Sequence, residues 1–257
     1  MMEILTVTER RNKIIELLNE NGKVNVNELS NMFGVSGVAI RTDLTELEKQ
    51  DLLTRVHGGA ITTYKSYYDM NFVQRANTNA KEKECIASTI ATMIKDNSTI
   101  MMNAGTTPIF VMRALEDKKV TIVTNSIALA LEGAKNHNFK IILLGGDVNS
   151  DYQFTYGVTA LKSLEQYSAD VFIMSIDGID ATKGVSTFYY QEAEICNSMI
   201  EHSKKTIITA DYSKFGRCAF ANIGNLTNID TIVTNENADT GVLNSLYDKK
   251  VKIIIAK

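Results

Sequence analysis

Phe33-Gly34-Val35-Ser36-Gly37-Val38-Ala39-Ile40-Arg41-Thr42-Asp43-Leu44 predicts a sharp turn followed by a capped helix. Gly34 suits the left-handed backbone that often ends a helix, and Ser36 has the short hydroxyl side chain favoured at a helix N-terminus. Ile40 and Leu44 then recur with helical spacing, so we expect one helix face to be buried. Behind another short helix, this pattern is that of a helix-turn-helix, which lays its second helix in the major groove of DNA.

The regions around this motif extend the same interpretation. A first helix is expected from Thr8, as its N-cap, to about Asn19, and Asn25 caps the short second helix. The face opposite the apolar residues of the third helix carries Val38, Arg41, Thr42 and Thr45. Residues 52–61 alternate weakly and break at Gly58-Gly59, which predicts a small hairpin, or wing.

The chain of 257 residues is long enough for two domains. We expect a small winged helix-turn-helix domain over residues 1–61 and a polar, aromatic connector over 62–80. Residues 81–257 are expected to form an α/β domain with a largely parallel sheet covered by helices.

Composition indicates a globular protein, with 44% hydrophobic residues and a net charge of −3. The N-terminus lacks a signal-peptide pattern, and no apolar run approaches the ~20 residues of a membrane span. Cys85, Cys196 and Cys218 are scattered, so we expect reduced thiols in a cytoplasmic protein. Acidic residues slightly outnumber basic ones in the first 60 residues, so DNA binding would have to rest on a local basic face.

Short apolar runs alternate with helical stretches in the second half of the chain. The runs are residues 99–102, 120–123, 140–144, 171–174, 206–209, 231–233 and 251–255. Polar loops follow many of them: Asn103-Ala104-Gly105-Thr106-Thr107-Pro108, Thr124-Asn125-Ser126, Gly145-Gly146-Asp147, Asp177-Gly178-Ile179-Asp180 with Lys183-Gly184, and Asp211-Tyr212-Ser213-Lys214-Phe215-Gly216.

These loops predict a site for a small phosphorylated polyol, because ligands of open α/β sheets bind beyond the carboxyl ends of the strands. Backbone N–H groups and Lys214 suit a phosphate, whereas Asn and Asp side chains suit hydroxyl groups. Asp177 and Asp180 as turn caps, and Lys214 as a surface lysine, are the alternatives. No GxGxxG motif occurs and the three histidines are isolated, so neither a cofactor nor a metal is expected.

Taken in order, these motifs resemble the DeoR family of bacterial sugar-metabolism repressors. The resemblance rests on Phe-Gly-Val-Ser, Ile-Arg-Thr-Asp-Leu and Arg-Val-His-Gly-Gly-Ala, then on Ala-Gly-Thr-Thr, Val-Thr-Asn-Ser, Leu-Gly-Gly, Asp-Gly-Ile-Asp and Asp-Tyr-Ser-Lys-Phe-Gly. It covers essentially the whole chain. It implies a sensor domain related to ribose-5-phosphate isomerase, a phosphorylated sugar or polyol as effector, and an oligomer, at least a dimer, on repeated half-sites of double-stranded DNA.

The resemblance also implies which residues form the two sites. DNA-binding residues would be Ser36, Val38, Ala39, Arg41 and Thr42, to which we add Arg55 and His57 of the wing. Effector-binding residues would be Asn103, Gly105, Thr106, Thr107, Asn125, Gly145, Gly146, Asp177, Asp180, Lys183 and Lys214. The family usually has Thr and Arg where this chain has Ala39 and Thr42, and Gly where it has Asp51.

Two other functions compete with that of a regulator. The chain could be a sugar-phosphate isomerase or deaminase with an accessory N-terminal module, in which Asp177, Asp180, Lys183 and Glu192 or Glu194 supply acid–base groups. Against it, the residues after Lys183-Gly184 do not match the Gly-rich segment of those isomerases, so we expect no catalysis. A protein-interaction module, with a merely structural helix-turn-helix, predicts no salt-dependent DNA affinity.

Overall fold

The computed structural model describes residues 5–50, 52–56, 58–62, 70, 72–249 and 251–257. Internal contacts divide the chain into two compact units, Met1–Ala80 and Lys81–Lys257. Among the described residues, no helix is both long and apolar enough to cross a membrane. His57 and Asp51, and residues 63–69 and 71 of the predicted connector, lie outside the described residues.

The first unit contains the predicted helix-turn-helix. Its helices are α1 (Val7–Asn21), α2 (Val26–Phe33) and α3 (Gly37–Lys49), followed by the short α4 (Phe72–Asn77), which packs on α1. The predicted start of α1 is wrong: Thr6, not Thr8, is the N-cap, because Thr6 and Glu9 form a reciprocal capping box. Gly34 has the expected positive φ of 64°.

The described residues of this unit also form three short strands. They are β1 (Lys23–Asn25), β2 (Leu53–Val56) and β3 (Gly59–Thr62), and they pair antiparallel in the order β1-β3-β2. The predicted wing is therefore confirmed. Gly59 is required where β3 passes β1, because a Cβ at this position would overlap the carbonyl oxygen of Val24.

The second unit is built on a seven-stranded, wholly parallel sheet in the order β15-β14-β12-β9-β4-β5-β6. All seven predicted strands are present: β4 (Thr99–Met102), β5 (Val120–Thr124), β6 (Phe139–Leu143), β9 (Val171–Ser175), β12 (Thr206–Thr209), β14 (Thr231–Asn235) and β15 (Lys252–Ala256). The central strands are buried, which explains their continuous apolar sequences.

Helices and two smaller sheets surround this sheet. The helices are α5 (Ala80–Met93), α6 (Thr106–Ala114), α7 (Ile127–Gly133), α8 (Val158–Leu164), α9 (Tyr190–Glu201) and α10 (Thr240–Tyr247). A hairpin pairs β7 (Asp147–Asn149) with β8 (Phe154–Tyr156), and a small antiparallel sheet joins β10 (Gly178–Asp180), β11 (Gly184–Thr187) and β13 (Ala221–Gly224). Because the seven main strands are parallel, their carboxyl ends share one edge of the sheet.

Candidate functional site

The first candidate site is the outward side of α3, here called the recognition face and made of Val38, Arg41, Thr42 and Thr45. Val38 is 68% exposed, and Arg41 and Thr42 are exposed as well. Ile40, Leu44 and Leu47 on the opposite side are buried, as expected. Ser36 fixes the start of the helix, because its hydroxyl accepts a hydrogen bond from the N–H of Ala39 at 3.2 Å.

The wing lies beside this face through Arg55 of β2. The Nη1 of Arg55 donates to the hydroxyl of Thr45 at 2.7 Å, and its backbone N–H donates to Glu48 at 2.8 Å. These two bonds hold β2 of the wing beside the carboxyl-terminal half of α3. His57, the other predicted residue of the wing, lies outside the described residues.

Asp43 forms buried ion pairs that the sequence pattern does not predict. Its carboxylate is 1% exposed and accepts hydrogen bonds from the Nε atoms of Arg10 at 2.6 Å and Arg11 at 2.9 Å. Both arginines belong to α1, so the ion pairs hold α3 against α1. The sequence feature that could indicate these ion pairs is an acidic residue directly before Leu44, a residue of the buried face.

Two acidic residues of this unit form local ion pairs with lysines. Glu46 pairs with Lys49 at 2.7 Å, and this hydrogen bond lowers the pKa of Glu46. Glu16 pairs with Lys13 at 2.6 Å. The single charge on the recognition face is the positive charge of Arg41, as phosphate and base contacts require.

The second candidate site is the carboxyl edge of the seven-stranded sheet, here called the sensor rim. The predicted residues Asn103, Asn125, Gly145, Asp177 and Lys214 follow β4, β5, β6, β9 and β12, and the sheet order brings these strand ends together. The rim is therefore one continuous polar edge, as the loops predicted.

Asn103 and Asn125 use their amide groups inside this edge. The Nδ2 of Asn103 donates to the carbonyl of Ser175 and to Glu192, both at 3.0 Å, and its Oδ1 accepts from the N–H of Ser175 at 2.7 Å. Asn125 accepts from the N–H of Ala104 at 3.0 Å. Both side chains are buried, so they fix the strand ends on which the other rim residues lie.

The loop after β4 leads directly into α6. Gly105 is the N-cap residue of α6 and makes no side-chain cap hydrogen bond, while Thr106 and Thr107 are buried in the first turn. A Cβ at Gly105 would overlap the side chain of Ser175, so only glycine fits there. The N-terminus of such a helix attracts anions through its backbone N–H groups.

Three acidic groups near the end of β9 have distinct environments. Asp177 is half-buried and accepts hydrogen bonds from the Thr187 hydroxyl and the Phe188 N–H, each at 3.0 Å. Asp180 accepts hydrogen bonds from the hydroxyl of Thr182 at 2.6 Å and from the N–H groups of Lys183 and Thr182 at 2.9 and 2.8 Å; these bonds lower its pKa, so it caps a turn. Glu192, from α9, is buried beside Thr187.

The remaining predicted rim residues differ in exposure. Lys183 and the pair Gly145 and Gly146 are exposed. Gly146 has a φ of 136° and no space for a Cβ, because that atom would overlap the carbonyl oxygen of Tyr156. Cys196 is buried beneath the rim, and burial raises the pKa of its thiol, so it is held as an inert thiol.

Lys214 is buried together with two charged residues that the sequence did not single out, Asp211 and Lys83. Asp211 begins the short 3₁₀ turn Tyr212–Lys214, and its carboxylate accepts from the N–H of Ser213 at 2.9 Å. Burial alone would raise the pKa of Asp211, but the charges of Lys214 and Lys83 and the hydrogen bonds from Ser213 together outweigh it, and the pKa is lowered. In the part of the chain that the structure describes, no three His, Cys, Asp or Glu side chains form a group that could hold a metal ion.

Comparisons with known proteins place both units in one family. The family of the DeoR-like helix-turn-helix domain matches residues 10–65, and that of the DeoR C terminal sensor domain matches residues 78–236. The uncharacterized HTH-type transcriptional regulator YulB of Bacillus subtilis (strain 168) is 34% identical over 97% of this chain and 96% of its own length. The chain belongs to the DeoR family.

Further DeoR-family relatives are similar over the same length. The glycerol-3-phosphate regulon repressor of Escherichia coli (strain K12) is 35% identical over 96% of this chain and 98% of its own. A solved ribose 5-phosphate isomerase from Plasmodium falciparum shares 18% identity over 51% of this chain and 51% of that chain, with a TM-score of 0.38. As a DeoR-family member, the protein is a DNA-binding transcriptional regulator.

Proposed function

We propose that this DeoR-family protein represses a carbohydrate-utilisation operon and that a phosphorylated sugar or polyol controls it. The sensor rim is the observation that carries this proposal: amide, hydroxyl, carboxylate and ammonium groups lie along one edge of one sheet. Relatives that match this chain over nearly their whole length are named as repressors, among them the glycerol-3-phosphate regulon repressor of Escherichia coli. In this proposal, residues 1–61 bind DNA, 62–80 connect, and 81–257 sense the effector.

The recognition face is proposed to read the operator. Val38, Arg41 and Thr42 are exposed on one side of α3, with Ala39 and the cap residue Ser36 at its start. Arg41 is suited to a guanine edge, since bidentate arginine–guanine pairs are the commonest specific contact in the major groove. Arg55, held beside Thr45, is suited to a backbone phosphate.

The effector is proposed to bind along the sensor rim. The N-terminus of α6, at Gly105, Thr106 and Thr107, and the ammonium groups of Lys214 and Lys183 suit an acidic group. Asp177, with Asp180, Gly145 and Gly146 around the rim, suits sugar hydroxyls. Asn103 and Asn125 shape the rim from below, because their amides bind neighbouring strands.

Control is proposed to work by a population shift in a homo-oligomer. One recognition helix reads only a few base pairs, so an oligomer on repeated half-sites is needed for a specific operator. An effector that prefers one arrangement of the DNA-binding units changes operator affinity by its differential affinity for the two arrangements. Sedimentation of the protein alone and on operator DNA tests the assembly.

Selection of the full-length protein against random duplex DNA tests the proposed function. We expect enrichment of a half-site repeated at helical-turn spacing for the wild type. The Arg41→Ala variant is the matched control and is expected to lose preference at one base of each half-site. A folded wild-type protein that enriches no sequence would contradict the proposal.

We also propose that the sensor rim binds its ligand without converting it. Glu192, one of the acids that catalysis could use, is buried and hydrogen-bonded to Asn103, while Glu194 is exposed on the other side of α9. An assay with ribose 5-phosphate and related sugars is expected to show no turnover. Turnover that the Asp177→Ala substitution removes would establish an enzyme instead.

A further inference from the structure

Two arginines of α1 share a single carboxylate of α3. The Nε of Arg10 donates to Oδ2 of Asp43 at 2.6 Å, and the Nε of Arg11 donates to Oδ1 at 2.9 Å. Two guanidinium groups therefore face one carboxylate, and one positive charge is in excess. That charge is accessible on Arg11, whose side chain is 26% exposed, compared with 9% for Arg10.

The ion pair of Arg11 uses only its Nε. Within the part of the chain that the structure describes, the two Nη groups of Arg11 have no hydrogen-bond partner. Arginine stays charged in proteins, and its N–H donors form a rigid fork that matches the oxygens of a phosphate. Arg11 is therefore fixed at one end by Asp43 and keeps its outer donors for a second acceptor.

Asp43 lies at the margin between the buried face of α3 and the recognition face. Successive residues of an α-helix are rotated by about 100°, so the order around α3 is Leu47, Asp43, Ala39 and Thr42. Leu47 and Asp43 are buried, Ala39 is half-buried, and Thr42 is exposed. The exposed part of Arg11 is therefore at this margin, beside the recognition face.

Arg55 of the wing occupies the corresponding margin on the other side of α3. Its backbone N–H donates to Glu48, and its Nη1 donates to the hydroxyl of Thr45. Glu48 is roughly 140° around the helix from Asp43, with the buried Leu44 between them. When such a helix lies in the major groove, its exposed face meets the bases, and its two margins face the two phosphate backbones that bound the groove.

We infer that Arg11 binds a backbone phosphate of the operator, on the side of the groove opposite the phosphate proposed for Arg55. Asp43 is then a positioning residue, because it holds the Nε of Arg11 and leaves the Nη groups for the phosphate. A contact of this kind fixes the orientation of the protein on the duplex without reading the base sequence. The inference rests on the proposed role of the recognition face and adds to it a contact from α1.

The salt dependence of DNA affinity tests this inference. The full-length wild type, Arg11→Gln and Lys13→Gln are titrated at several salt concentrations with two duplexes, one carrying the selected operator and one of unrelated sequence. Gln at position 11 can still donate a hydrogen bond to Asp43 but carries no charge. Lys13→Gln is the matched control, because it removes one positive charge from another side of α1, where Lys13 pairs with Glu16 at 2.6 Å.

We expect Arg11→Gln to weaken binding to both duplexes by a similar factor, about tenfold at fixed salt, as for loss of a charged hydrogen bond. The slope of log affinity against log salt should become less steep by about 0.9 for each bound protomer, because one phosphate contact is lost. Lys13→Gln should keep the wild-type slope. An unchanged slope in Arg11→Gln would overturn the inference, as would an equal change in both variants or a loss confined to the selected operator.

The outcomes separate the inference from the proposed function. A folded wild-type protein that binds neither duplex would overturn the proposed role of the recognition face together with that of Arg11. Binding by the wild type, with an equal slope in a folded Arg11→Gln variant, would overturn the role of Arg11 alone. Thermal melting of each variant provides the measure of folding.

A measurement on the wild type covers the case in which Arg11→Gln fails to fold. Arginines are labelled with a dicarbonyl reagent, with and without a saturating amount of the operator duplex, and the labelled positions are read by mass spectrometry. We expect DNA to slow labelling of Arg11 but not of Arg113, which is 56% exposed in the second unit. Equal labelling of Arg11 under both conditions would contradict the inference.

Discussion

Replacing Asp43 by Asn tests how α3 is held in the DNA-binding unit. Asn keeps the shape of the side chain but removes the charge that pairs with Arg10, a guanidinium only 9% exposed. Removing one partner of a buried ion pair costs about 3–5 kcal/mol. Since Arg11 is 26% exposed and can be hydrated, we expect the lower end of this range, about 3 kcal/mol.

Hydrogen exchange of α3 amides in the full-length protein measures this cost. A loss of about 3 kcal/mol corresponds to roughly 100-fold faster exchange where exchange reports the local opening equilibrium. The control is Glu46→Gln on the same helix, which breaks an exposed pair with Lys49 and is expected to leave exchange unchanged. Wild-type protection of α3 in Asp43→Asn would refute the claim that this ion pair holds the helix in place.

Three further predictions concern the operator, the wing and pH. Arg41→Ala should weaken specific operator binding by about 1–3 kcal/mol, and an unchanged affinity in a titration would exclude Arg41 as a base-reading residue. Gly59→Ala should disrupt the wing and lower the melting temperature, because the added Cβ would overlap the Val24 carbonyl. Gly58→Ala is the control: its added Cβ meets no neighbouring atom, so the only strain is that of a φ of 78°. Equal melting temperatures for the two variants would be inconsistent with this packing. Because the folded-state pKa of Asp211 is lowered, its stabilisation is present at neutral pH and is lost as the pH falls below about 4 through that lowered pKa. Acid titration of stability should therefore be less steep in Asp211→Asn than in the wild type.

The strands of the sheet could be predicted from the sequence, but their order could not. Each strand is a short apolar run between polar loops, and such runs remain visible without any knowledge of the fold. The order β15-β14-β12-β9-β4-β5-β6 depends on pairing between distant segments, which periodicity does not encode. The wing could be predicted as well, because Gly58-Gly59 interrupts its alternation.

The candidate site could be predicted only as a set of loops at one edge. Asn103 shows why. The hydrogen-bond partners of its amide, Ser175 and Glu192, are 72 and 89 residues away along the chain, so the sequence does not predict that these bonds form. Asp180 caps a turn, which is the alternative that the sequence left open for this residue. The burial of Lys83 and Asp43 could not be predicted, because a charged residue beside apolar residues of a helix is assigned to the exposed face when only the sequence pattern is used.

The most direct test of the account is the affinity of the full-length protein for its selected operator, measured by fluorescence anisotropy at one fixed salt concentration. Salt is held fixed because phosphate contacts make DNA affinity strongly dependent on it. The titration is repeated with a panel of sugar and polyol phosphates and with their unphosphorylated counterparts. We predict that at least one phosphorylated compound weakens operator binding by about tenfold or more, in the usual range of allosteric coupling, and that its unphosphorylated counterpart does not. Operator affinity that stays the same with every compound would contradict the account.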